Sequence, residues 1–303
     1  MSSLVQRVFQ GVSSNAFLLL VMTAALWGGN GVASRMAVGQ VSPMTLVLIR
    51  WIMVCVVLAF FMRPALKTHW GELKAHWRTL LAMSAFGFTG FNILFYLAGY
   101  HTTAINITLL QSSIPPIVMV GAYVFKGARV TLMQFVGMMV TLIGVALIAA
   151  QGDVARLSSF HFNTGDVLIL IACVFYAGYT VALRGRPPLP SMVFFTGLAI
   201  AAFLTAIPPF VVEVALGQAY WPTMKGWAVL TFIALGPSLA SQVFYIRGVE
   251  LIGPGRAGLF SNLVPPFGAL FAVLILGEEF HTYHALAMVF GLGGIFIAER
   301  FGK

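Results

Sequence analysis

Ten stretches of this chain are apolar, nearly free of charge and about 20 residues long, the length a helix needs to cross the hydrocarbon core of a bilayer. They run over 17–37, 43–62, 78–99, 105–125, 132–150, 165–184, 192–212, 227–248, 255–275 and 283–300. Composition demands the same reading. Of the 303 residues, 60% are hydrophobic and 8% are Asp, Glu, Lys or Arg, against roughly 45–50% and about 25% for a soluble domain. So few charges cannot cover a surface that faces water. The expected fold class is therefore all-α integral membrane, with ten transmembrane helices joined by short connections. The net charge of +9 does not require nucleic acid, because basic residues gathered on one side of a membrane give the same total. Arg7 followed by FLLLVMTAAL resembles a secretion signal, but the same segment has a counterpart in mid-chain and is read as the first span.

Basic residues set the orientation. With the N-terminus in the cytoplasm and the spans alternating, thirteen basic residues fall inside, among them Arg7, Arg63, Lys126, Arg129, Arg256 and Lys303. Three fall outside, Arg35, Arg156 and Lys225, and Arg50 lies within the second span. That asymmetry places both termini in the cytoplasm.

The chain is also written twice. WGGNGVASR (Trp27 to Arg35) matches YAGYTVALR (Tyr176 to Arg184). Phe95, Tyr96 and Gly99 recur as Phe244, Tyr245 and Gly248, and Pro115-Pro116 as Pro265-Pro266. The offset stays at 149 or 150 places. Residues 1–150 and 151–303 are thus two repeats of five spans each. Five is odd, so the second repeat enters the membrane from the opposite side. Inverted repeats of this kind belong to secondary transporters, whose substrates bind near mid-membrane between the halves.

Ten spans, the duplicated and inverted unit, Trp27-Gly28 in the first span, Arg50 in the second and a proline in the fourth and ninth together resemble the EamA-type drug/metabolite transporter superfamily. The likeness covers nearly the whole chain. Within that superfamily the chain is most similar to bacterial inner-membrane exporters of amino acids and related metabolites, including aromatic-amino-acid exporters. The resemblance implies a carrier working by alternating access, with the fifth and tenth spans at the periphery. A multidrug or other small-metabolite carrier of the same fold is the alternative.

A proline inside a helix cannot donate to the carbonyl four residues earlier. Pro115 and Pro116 are expected to free the carbonyls of Gln111 and Ser112, and Pro265 and Pro266 those of Ser261 and Asn262. In lipid such groups are tolerated only against protein or a wet cavity. The fourth and ninth helices are therefore expected to face each other across an aqueous chamber, with Gln111, Ser112, Ser261 and Asn262 in its wall. A kink used only for packing is the competing reading. Trp27, Asn30, Tyr176 and Tyr179 occupy matched repeat positions, as do Asn92, Tyr96 and Tyr245, with Gln242 alongside. Their rings supply an apolar wall and their polar atoms hydrogen bonds, which suits an amphipathic substrate. Arg50 fits a gating or structural role, or attraction of a substrate carboxylate.

Absences narrow the chemistry. The acids lie in loops or at span ends, as do the histidines, His161 among them, so no proton relay is evident within the bilayer and a facilitator or exchanger is expected. A single buried cation argues against phosphate-bearing substrates. Cys55 and Cys173 sit in apolar runs as packing residues. No nucleophile–base pair or metal-ligand cluster gathers at one depth, so no enzyme activity, metal or cofactor is expected. The expected partners are a small-molecule substrate and the lipid bilayer, with no nucleic acid. The expected state is a monomer, a dimer being the alternative.

Overall fold

The computed structural model describes residues 15–127, 130–153, 163–252, 257 and 260–301. Arg7, Arg129, Arg156, His161, Arg256 and Lys303 lie outside the described residues. Among the described residues all regular structure is helical. Seven helices are long and apolar enough to cross a membrane. These are α1 (Ala16–Ala37), α2 (Pro43–Phe61), α3 (Trp77–Ala98), α4 (Ala104–Phe125), α6 (Thr164–Ala182), α7 (Ser191–Ala215) and α8 (Met224–Ile252). Three shorter apolar helices complete the ten: α5 (Leu132–Ala149), α9 (Phe260–Leu276) and α10 (Thr282–Phe301).

Local chemistry marks the ends. Asn15, Thr103, Thr131, Asn163 and Thr223 each accept a hydrogen bond from a backbone N–H in the first turn of the following helix. These are the orphan donors of a helix N-terminus, and such caps are strongly preferred there. Gly127 and Gly277, repeat mates, follow α4 and α9 with φ of 61° and 68°. That left-handed conformation suits glycine and ends a helix.

The paired prolines do not leave an open fault. A 3-10 turn at Gln111–Ser113 interrupts α4, and an α-helix restarts at Ile114 with the prolines in its first turn. The same device recurs in α9, with a turn at Phe260–Leu263 and a restart at Val264. First-turn N–H groups have no partner within their helix, so proline sacrifices nothing there. This corrects the expectation of a free Gln111 carbonyl: it accepts from the Ile114 N–H. Helices α3 and α8 carry a matched irregularity of another kind, π-helical turns at Ala85–Gly90 and Ala234–Ala240.

Packing repeats between the halves. Helix α1 lies along α8 and α9, and its mate α6 lies along α3 and α4. Helix α2 packs on α7, and α5 on α10. The α5–α10 pair is very close: a Cβ at Gly137 would lie 2.4 Å from the Gly294 carbonyl oxygen, and one at Gly144 2.7 Å from that of Ala287. Small residues permit such approach in a membrane, where association relies on van der Waals contact.

Gly294→Leu therefore forces α5 and α10 apart. The expected cost is about 1–3 kcal/mol, typical of overpacking, read as a lowered unfolding midpoint of the purified protein in detergent. An unchanged midpoint refutes the close packing.

Candidate functional site

Arg50 is buried at 6% exposure in the middle of α2. Its Nε donates to Ser238 Oγ at 2.5 Å. Its Nη1 donates to Asn92 Oδ1 at 2.7 Å and to the Tyr96 hydroxyl at 2.6 Å. The Tyr96 hydroxyl donates on to Asn30 Oδ1 at 2.9 Å. Four helices, α1, α2, α3 and α8, are thus tied at one point. Among the described residues no Asp or Glu forms an ion pair with Arg50, so its charge is met by neutral acceptors alone. A buried charge is costly and persists only when hydrogen-bonded. The π-helical turns contribute here. The α8 turn contains Ser238, and the α3 turn contains Phe88, whose carbonyl accepts from Asn92 Nδ2 at 2.5 Å.

A wall of rings adjoins this network. The Arg50 guanidinium lies 5.3 Å from the Trp51 ring and 5.8 Å from that of Tyr96. Trp51 stacks on Phe88 at 5.1 Å, and Phe88 meets Tyr179 at 5.3 Å. Tyr179 meets Tyr176 at 5.5 Å, and Tyr176 meets Phe91 at 5.2 Å. Phe91, Phe95 and Tyr96 then close the circuit back to Arg50. Trp27 pairs with Tyr245 at 5.5 Å.

The structure therefore joins Asn30, Arg50, Asn92 and Tyr96 in one network, Tyr176 and Tyr179 in the ring wall, and Trp27 with Tyr245. Sequence reasoning missed Trp51, Phe88, Phe91 and Ser238. The residues at the two interruptions go elsewhere. Gln111 Nε2 donates to Ile107 O in its own helix at 3.1 Å. A Cβ on Gly291 of α10 would be 3.3 Å from Ser112 Oγ, so Ser112 abuts the peripheral pair. Ser261 and Asn262 are half-buried in a turn packed on α1. Gln242 is half-buried in α8. The expectation that α4 and α9 face one another across a chamber is corrected at their crossing. There the first half of α4 packs directly on the second half of α9, and a Cβ at Gly268 would lie 2.3 Å from Thr108 Cγ2.

Two of the acids at span ends are buried there: Asp166 lies in the first turn of α6 and Glu213 in the last turn of α7, at 2% and 6% exposure. Asp166 accepts from Thr102 Oγ1 at 2.6 Å. Glu213 accepts from the N–H groups of Met44 and Thr45, each at 3.0 Å, and from Ser42 Oγ at 2.7 Å. His284, placed at a span end, is likewise buried.

Ten apolar helices in two matched sets of five, tied at their centre by a polar and aromatic cluster, define a multi-pass membrane protein of the carrier type. The chain belongs to the EamA-like transporter family, whose sequence profile matches residues 14–150 and again 163–299. An uncharacterized transporter of Bacillus subtilis, YyaM, is 20% identical over 94% of this chain and 93% of its own length. A probable terminal-alkyne amino-acid exporter of Streptantibioticus cattleyicolor is 25% identical over 95% of this chain and 94% of its own. A protein of known crystal structure superposes with a TM-score of 0.67 at 17% identity, over 95% of this chain and 98% of that one. At that identity the last comparison speaks to the fold alone.

Tyr96→Phe removes the hydroxyl that joins Arg50 to Asn30. Leaving buried polar partners unsatisfied costs about 1–3 kcal/mol, so the unfolding midpoint in detergent should fall with the helical signal of the folded state preserved. Wild-type stability refutes the network.

Proposed function

We propose that this protein exports amino acids, aromatic or otherwise neutral and amphipathic, and related metabolites across the bacterial inner membrane by alternating access. The observation that carries the reading is the junction of the ring wall with Arg50. Trp27, Tyr176, Tyr179 and Tyr245 offer flat apolar surface with polar edges. Arg50, reached from Tyr179 through Phe88 and Trp51, holds a positive charge with no acidic partner among the described residues. An aromatic or apolar side chain on the rings and a carboxylate towards the guanidinium would use both halves of that surface. The amino-acid exporter among the relatives supports the same substrate class.

The inverted duplication supplies the cycle, because each half can adopt the conformation its mate has just left. The excess of basic residues in the connections on one side of the spans supports a cytoplasmic location for that side and for both termini. A carrier of drugs or other neutral metabolites would use the same rings without Arg50, and the substrate panel separates the two.

Counterflow in proteoliposomes with a panel of amino acids and their amides, with and without a pH gradient, tests the reading. Free amino acids should exchange and their amides should not, and no pH gradient should be needed. Trp27→Ala and Tyr179→Ala should each lower apparent affinity by about tenfold, the equivalent of roughly 1.4 kcal/mol, in protein that remains folded. Exchange of amides as readily as acids transfers the assignment to the neutral-metabolite reading, and unchanged affinity in both variants overturns the ring site.

A further inference from the structure

We propose that Glu213 and Glu278 are the latches of the extracellular gate, each a carboxylate gripping the start of a helix across the boundary between two moving bundles, in a structure with that gate shut. This rests on the alternating-access reading above.

The two bundles follow from packing. Helix α1 lies along both α8 and α9, and α2 packs on α8 while also meeting α7 across the boundary. The repeat mate α6 lies along both α3 and α4, and α7 packs on α3. At the end of the molecule that holds residues 38–42, 99–103, 213–223 and 277–281, hydrogen bonds cross from one bundle to the other. Glu278, just after α9, accepts from the N–H groups of Ala104 and Ile105 at the start of α4, at 2.8 and 3.0 Å. Glu213, in α7, accepts from the N–H groups of Met44 and Thr45 at the start of α2, and from the hydroxyls of Ser42 and Thr45. Each carboxylate satisfies first-turn N–H groups that no intrahelical carbonyl can reach, at the positive end of a helix dipole.

Lesser ties join the same end. Arg35 Nη1 donates to Gly99 O at 2.5 Å, and the hydroxyls of Tyr100 and Tyr220 lie 2.8 Å apart. Burial and the Tyr220 hydroxyl hold Tyr100 well above the ordinary tyrosine range. Helix contacts beneath the ties are tight. A Cβ at Gly31 would lie 2.5 Å from Thr108 Cγ2, and one at Gly99 2.9 Å from Ser34 O.

The opposite end lacks this closure at the matching positions. Residues 28–34 of α1 are all buried, whereas in the matching stretch of α6 Tyr179 and Thr180 are half-exposed, and Gly178 and Ala182 continue the exposed apolar stripe of Val167, Ile171 and Val174. A Cβ at Gly29 would meet Phe232 at 3.2 Å, but one at its mate Gly178 would meet nothing within 4 Å. The latches have no mates either. The positions matching Glu213 and Glu278 hold Pro64 and Ala128. The excess of basic residues assigns the latched end to the outside.

The test needs no substrate. In full-length protein carrying Cys55→Ala and Cys173→Ala, Ser34→Cys places a reporter that is 1% exposed beneath the latched end. Intact cells are treated with a membrane-impermeant maleimide. With both latches present, labelling should be slow. With Glu213→Gln and Glu278→Gln together it should quicken by about tenfold or more, a shift of the two-state population. Should the double variant fail to reach the membrane as a monodisperse protein, either single variant is read in the same way. Fast labelling of Ser34→Cys with the latches intact overturns the proposal, and so does an unchanged rate once they are removed. A changed rate in protein that exchanges no amino acid leaves the latches standing and removes only the substrate assignment.

Discussion

Hydrocarbon offers no hydrogen bonds, so every polar group that this chain carries into the bilayer has to be answered from within the protein. The irregular features of the fold are ways of meeting that demand. Where prolines end the regular ladder in α4 and α9, a 3-10 turn takes up the slack and the helix restarts with proline in its first turn, where its missing N–H is harmless. Where α2 carries a guanidinium, π-helical turns in α3 and α8 lie beside the residues that receive it. Where α2 and α4 begin, Glu213 and Glu278 from distant parts of the chain accept from their open N–H groups. Each solution ties one helix to another, so the requirement for local saturation also builds the tertiary structure.

This explains why Arg50 sits where several helices meet. A guanidinium presents donors in a fixed planar fork and does not lose its proton. Buried without a carboxylate, it needs several neutral acceptors at defined directions, and no single neighbouring helix supplies them all. Asn92 and Tyr96 come one turn apart from α3, Ser238 from α8, and Asn30 from α1 receives the Tyr96 proton in turn. The rings around it are the other half of the same arrangement. Trp51 and Tyr96 lie against the guanidinium, a geometry that favours a cation, and exclude water from it.

Much of the architecture was legible in the sequence because its signals are long and repeated. Span length, the recurrence of Phe95-Tyr96 as Phe244-Tyr245 and the doubled proline pair are each read over tens of residues. The matched polar positions also led to Asn30, Asn92 and Tyr96, since an amide or hydroxyl in mid-span has few uses other than a partner. What stayed hidden depends on contacts between residues far apart in the chain. Glu213 and Glu278 look like loop acids until the helices they cap, some 170 residues earlier, are brought beside them. Phe88 and Phe91 are two of 26 phenylalanines, and only the angular shift of a π-helical turn separates them from lipid-facing ones. Gln111 and Ser112 misled for the opposite reason. Polar residues beside a helix break suggest a wet cavity, but a glutamine can return its amide to its own backbone and a serine can pack against glycine.

The repeats also differ in a way that bears on the transport cycle. An inverted duplication in perfect register would hold its two ends shut with the same contacts, and neither state would be favoured. Here Glu213 and Glu278 act at one end, while their mates Pro64 and Ala128 have no side chain able to accept a hydrogen bond. Hydrogen bonds to a charged group contribute about 1.5–3 kcal/mol each in net terms, and a population shifts tenfold for roughly 1.4 kcal/mol. Even one such latch, partly compensated by water when it opens, is enough to bias the resting population. A carrier built this way couples its symmetry to motion and its asymmetry to preference. The duplication makes both states reachable, and the two unmatched carboxylates decide which is occupied when no substrate is bound.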